Sequence, residues 1–225
     1  MLTQRMRNED LGGPLQAEQS LSAQQEAIPQ AARGLHPQEG GEDGLQWYRL
    51  RCAAGEATLE EHRTMADLLF SLERYAEALD ACERALALEP HDSLLLENRG
   101  TLLALSGRYE EALVSFALAC EQAMEIEALM WQNYGTTLRV LGRVEASLLL
   151  YERALALRPP PDQAVIILTS KGDALLELGR AGEAVSVFDE AQRLVEQLPP
   201  ALDGWPGQEL LAHLASQRRR AAALL

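Results

Sequence analysis

The side chains of this sequence best suited to metal binding or nucleophilic chemistry are four histidines and three cysteines, and their spacing supports neither. His36, His62, His91 and His213 lie far apart, with no i, i+4 pair to turn two imidazoles toward one zinc ion and no cysteine at ligand spacing. Cys52, Cys82 and Cys120 form no Cys-x-x-Cys pair and read as small, mostly buried residues of a reducing compartment. Glu60 with Glu61 and Glu110 with Glu111 are adjacent on helix surfaces, so neither pair converges for acid–base work. There is no glycine-rich phosphate loop and no Gly-x-Ser-x-Gly elbow. The expectation is a chain that is not an enzyme and needs neither metal nor cofactor. What remains is recognition: a carboxamide both donates to and accepts from an extended backbone, and Asn98 and Asn133 are the carboxamides whose placement suits it.

That placement comes from a pattern written four times between Leu59 and about Gln197. Aligned on a small residue at the eighth position, the units start near Leu59, Ser93, Ala128 and Val165, a spacing of about 34 residues. The eighth positions are Ala66, Gly100, Gly135 and Gly172; further on come Ala78, Ala112, Ser147 and Ala184, then Ala85, Ala119, Ala154 and Ala191. Small side chains at three points per unit let two antiparallel helices approach closely. A larger filler stands between them: Cys82, Phe116, Tyr151 and Phe188. Two helices alone cannot bury such a face, so the units must stack.

On these residues the chain resembles the tetratricopeptide repeat (TPR) family. The resemblance implies an all-α, right-handed superhelical solenoid over residues 59–198, with units near 59–92, 93–127, 128–164 and 165–198. There are departures from the family pattern. The fourth position is aromatic only at Trp131, the seventh-position Leu is replaced by Met65, Arg99, Tyr134 and Lys171, and the closing Pro survives only as Pro90 and Pro159. None removes a small packing residue. The joints differ too. Pro90 and Asp92 stop one helix and cap the next, helix B of repeat two is expected to run on through Ala123 and Met124, and Pro159, Pro160, Pro161 and Asp162 form a stiff corner.

The flanks have their own readings. Residues 1–41, rich in Gln, Glu, Gly and Ala and free of aromatics, are expected to be a disordered tail, with a tethered segment that visits the groove as the alternative. Residues 42–56 read as an N-terminal capping helix stopped by Gly55, with Tyr48 in the place of Cys82 and Arg51 where a small residue is wanted. Residues 206–225 read as a C-terminal capping helix covering repeat four through Leu210, Leu211, Leu214 and Ala215. Its Arg218, Arg219 and Arg220 complement the helix dipole, or alternatively meet a membrane surface or partner. The formal net charge of −14 disfavours nucleic acid as a partner. No apolar run reaches a membrane span, and the N-terminal stretch turns acidic before any signal-like core forms, so a cytoplasmic protein is expected.

The family resemblance further implies a concave face made by helix A positions. Here it carries Arg63, Asp67, Glu97, Asn98, Thr101, Gln132, Asn133, Thr136, Arg139 and Asp173 as candidate partner-binding residues, with Arg63 and Arg139 as charged anchors. The implied role is a non-catalytic scaffold or assembly factor that takes a protein or peptide partner in that groove. The alternative is a self-oligomerising module, or a fixed subunit of a larger complex that uses its convex face or end caps. The family's carboxylate clamp for chaperone tails needs Lys, Asn, Asn, Lys and Arg. The matching residues are Arg63, Asp67, Asn98, Leu129 and Asn133, of which only the first and third fit, and Asp67 repels a terminal carboxylate. Titration of an acidic chaperone-tail peptide should therefore show no binding at micromolar concentrations; saturation in that range would refute the assignment.

Overall fold

The structure, a computed structural model, describes residues 41–197 and 207–225. The expected tail before Gly41 and the connection from Pro199 to Pro206 lie outside the described residues. Among the described residues there are ten helices and no strand. A first helix, α1 (Glu42–Ala53), precedes four hairpins: α2 (Leu59–Ser71) with α3 (Tyr75–Leu88), α4 (Ser93–Leu105) with α5 (Tyr109–Gln122), α6 (Ala128–Val140) with α7 (Val144–Ala156), and α8 (Pro161–Glu177) with α9 (Ala181–Gln197). A last helix, α10 (Gly207–Ala222), packs on α9. Each hairpin stacks on the next through helix B against the following helix A, which makes a superhelical solenoid.

One close contact repeats in every hairpin. A Cβ built on Gly100 would lie 2.8 Å from Phe116 Cε1, one on Gly135 2.8 Å from Tyr151 Cε1, and one on Gly172 2.4 Å from Phe188 Cε1. All three rings are fully buried, as are the alanines that flank them on helix B. In repeat one the pair is exchanged in size: Ala66 stands where the glycines stand, and the smaller Cys82 replaces the ring. Burying each large apolar side chain stabilises the fold by roughly 1.5–3 kcal/mol.

The turns repeat as well. Glu73, Gly107, Gly142 and Gly179 all have positive φ, and the next residue, always Arg, donates its N–H to a carbonyl in the last turn of helix A at 2.9 Å. Glu73, at φ 58°, adopts the left-handed conformation that the other three repeats give to glycine. The arginines open helix B, and Arg74, Arg108 and Arg180 each clamp a glutamate three residues on at about 2.7 Å. Repeat three has Ala146 at that place, so Arg143 reaches back to Glu110 of repeat two at 3.0 Å.

Two local expectations are corrected. Helix α5 stops at Gln122 rather than running on, because Ala123 is extended at ψ 132°. The break lets Ile126 pack on the core while Met124 stands fully exposed. The proline corner is shorter than expected: Pro160 is extended, Pro161 and Asp162 already form the first turn of α8, and that helix begins one turn before Val165. Proline suits the first helical position, since its missing N–H would have no partner there. The end helices cover apolar surface. Leu45 and Tyr48 of α1 and Leu214 and Ala221 of α10 are buried, and Arg51 is held by Glu56 and Glu61 at 2.9 and 3.2 Å.

Gly172→Ala should destabilise the protein by about 1–3 kcal/mol, more than Gly135→Ala, because its ring lies closer. Adding Phe188→Leu should recover part of the loss. Denaturant melts of wild type, the two glycine variants, the Phe188→Leu single variant and the double variant check this; strictly additive effects would rule out the contact as the cause.

Candidate partner-binding groove

Helix A of each repeat buries one face against its helix B and leaves the other open. On α4 the buried residues are Leu95, Leu96, Gly100, Leu102 and Leu103, so Leu94, Glu97, Asn98, Thr101 and Leu105 form the opposite stripe at helical spacing. The stripe on α2 is Glu60, Arg63, Asp67 and Phe70, and on α6 it is Leu129, Asn133, Thr136 and Val140. Helix α4 packs beside α6 and α6 beside α8, with side chains bridging the latter pair, and Arg63 of α2 reaches Asp92 at the start of α4. The stripes thus form one continuous strip along the array.

Several candidate residues are already engaged within the chain. Arg63 pairs with Asp92, whose other carboxylate oxygen accepts from Leu95 N at 2.9 Å and caps α4. Arg139 pairs with Glu177 on α8. Gln132, buried, donates to Thr136 Oγ1 at 3.1 Å and to Ser170 Oγ of the next repeat at 3.2 Å, and Thr136 Oγ1 lies 3.2 Å from the Tyr151 hydroxyl. Asn98, Thr101 and Asn133 are half-buried and make no side-chain hydrogen bond among the described residues. Their polar groups are unengaged among the described residues, whereas the two arginines expected as anchors tie one repeat to the next.

The carboxylates behave differently from the arginines. Asp67, Glu97 and Asp173 have no ion pair or side-chain hydrogen bond among the described residues, and all three are pushed above the usual carboxylate range. Burial is the main cause at each. At Glu97 the charge of Glu127 adds to it; at Asp67 Glu60 adds while Arg63 opposes. Asp173 faces α10 as well as the groove: Arg139, His213 and Arg220 oppose the burial effect there, and Glu177 adds to it.

Sequence reasoning passed over three features. His62, at the large fourth position of repeat one, is buried with Nδ1 3.7 Å from Cys52 Sγ. Burial and Arg84 lower its pKa against the pull of Glu61, so the ring stays neutral and gives the thiol no cationic partner. Thr58 and Glu61 form a reciprocal capping box on α2, a signal legible as Thr-x-x-Glu. The atypical seventh-position residues contact the preceding helix B: Arg99 reaches Glu83, Tyr134 stacks on Phe116 at 5.7 Å, and Lys171 meets Glu152. Cys82 is pushed up to about 12 by burial, which makes it inert at neutral pH. Cys120, expected to be buried, is half-buried. Among the described residues no group of His, Cys, Asp and Glu is arranged to hold a metal, and no helix is long and apolar enough to cross a membrane.

A family profile described as tetratricopeptide repeat matches residues 63–124 and 135–199, together more than half of the chain. Three solved structures share the fold. MamA from Desulfovibrio magneticus RS-1, residues 41 to its end, is 16% identical with a TM-score of 0.62, covering 80% of this chain and 93% of that one. YrrB, described as a TPR protein with an unusual peptide-binding site, is 22% identical with a TM-score of 0.55, covering 80% and 89%. PilW, described as a widely conserved type IV pilus biogenesis factor, is 21% identical with a TM-score of 0.58, covering 79% and 84%. At these identities the likeness is one of fold. No curated protein matches the sequence.

The raised carboxylates make a prediction about stability. A carboxyl whose folded-state pKa lies above its unfolded value binds its proton better when folded, so its ionised form costs stability above that range and nothing below both values. Glu97→Gln should raise the melting temperature at pH 7, and the gain should vanish below about pH 4, where Glu97 and the unfolded-state glutamate are both protonated. Thermal melts at the two pH values check it; a lower melting temperature at pH 7 would show that the ionised carboxylate is needed by the fold.

Proposed function

Since the chain belongs to the tetratricopeptide repeat family, we propose that it is a non-catalytic scaffold or assembly factor that holds a segment of a partner protein on its concave face. One observation carries this reading. Asn98 and Asn133 stand at the same position of consecutive helix A stripes, half-buried and with their amides unengaged among the described residues, while Arg63, Gln132, Thr136 and Arg139 around them are committed to intramolecular bonds. Two amides in that register suit the repeating donors and acceptors of a peptide backbone. Thr101 lies one turn after Asn98 on the α4 stripe. The peptide-binding site named for YrrB and the pilus-biogenesis role named for PilW agree with this reading at the level of the fold. Nucleic acid is set aside on the acidity of the chain, and the cytoplasm is the compartment we infer from the sequence.

The test compares wild type with the Asn98→Ala, Asn133→Ala double variant in affinity capture from native lysate, after melts show that both fold. Wild type should retain a protein that the variant loses. Equal retention by both would move recognition to the convex face or the chain ends, the arrangement of a fixed subunit. A concentration-dependent mass in light scattering would favour self-assembly instead.

A further inference from the structure

Resting on the concave-face reading, we propose that the occupant is a cationic segment that also carries large aliphatic side chains, its positive groups meeting Asp67, Glu97 and Glu127 and its apolar groups covering Phe70, Leu94 and Leu105. The apolar side chains are the first reason. Phe70, Leu94 and Leu105 are 44%, 57% and 50% exposed, and they lie on the same open stripes as the carboxylates, Phe70 one turn after Asp67 and Leu94 one turn before Glu97. An acidic strip alone is satisfied by water, but large apolar side chains placed along it are not.

Charge is the second reason. The strip's arginines are consumed: Arg63 is held by Asp92 and Arg139 by Glu177. Asp67, Glu97 and Glu127 have no ion pair among the described residues, and Glu127, at the N-terminus of α6 and without a side-chain cap hydrogen bond, lies close enough to add its negative charge to that of Glu97. The net field at the middle of the groove is therefore negative, on a chain whose whole charge is −14 and so steers cations from a distance. Burial holds Asp67 and Glu97 above their ordinary pKa, an electrostatic cost that a partner's ammonium or guanidinium relieves. An anionic partner meets the opposite balance.

The experiment uses the full chain and a fluorescent fourteen-residue peptide of alternating Leu and Lys, an extended pattern whose backbone stays open to Asn98 and Asn133, read by anisotropy. Two further probes replace every Lys by Glu or every Leu by Ser. Wild type should bind the lysine peptide, reject the glutamate peptide, bind the serine peptide more weakly, and lose affinity as salt rises. The Asp67→Asn, Glu97→Gln double variant should bind about tenfold more weakly, a change in keeping with two partly exposed ion pairs. The charge-matched Glu145→Gln, Glu190→Gln variant, altered on exposed positions of α7 and α9, should bind like wild type. Equal loss in both double variants, equal binding of the serine peptide, or no binding of the lysine peptide would each overturn the proposal. If the lysine peptide fails while the asparagine double variant still loses a captured partner, the cationic occupant falls and the concave-face reading stands. If the asparagines and the carboxylates are both indifferent, both readings fall.

Discussion

The rest of the structure depends on the contact between the small eighth residue of helix A and the filler of helix B. Gly172 against Phe188 is its tightest glycine form, and in repeat one Ala66 and Cys82 take the two places. The small residue brings the two axes together, the filler occupies the space so created, and the small residues before and after it, alanines except for Ser147, keep helix B close along its length. Energetic scale makes this contact the controlling one. Each buried ring or leucine contributes roughly 1.5–3 kcal/mol, while an exposed ion pair such as Arg108 with Glu111 is weakened by water, salt and the entropy of two long side chains. The pairs at the start of helix B therefore set where that helix begins and add little to overall stability.

The stacking that buries those rings also builds the groove. Helix A can be wrapped on one side only, so its other stripe is left open, and repetition places the open stripes side by side. Polar residues between the stripes then do two kinds of work. Arg63, Arg139 and Gln132 lock neighbouring repeats together, and Asp92 serves both as the cap of α4 and as the counter-ion of Arg63. Asn98 and Asn133 are left over, as are the carboxylates of Asp67 and Glu97. A partly buried carboxylate without a cation opposes folding, and the open stripe is where these two stand.

Much of the fold was legible in the sequence because its signals are local or strictly periodic. The small residues at fixed spacing announce the four hairpins and their stacking, and the residues that cap or punctuate helices, such as Asp92 and Gly55, are read from neighbours in the chain. The stripe itself follows from helical spacing once the buried side is known. The break after Gln122 was not legible, since no proline or glycine marks it and the packing of Ile126 that accompanies it is on a core assembled from distant helices.

Sequence by itself determined the repeat, the hairpins, the packing residues and the set of side chains that face away from the core, because each follows from one residue's place in a short period. Tertiary structure alone decided which of those side chains are free. Arg63 and Asp92 are 29 residues apart and Gln132 and Ser170 are 38 apart, and no local rule relates them. Whether an arginine on the open face is an anchor for a partner or a tie between repeats depends on where the next helix sets down its carboxylate, and that position is a product of the stacked core.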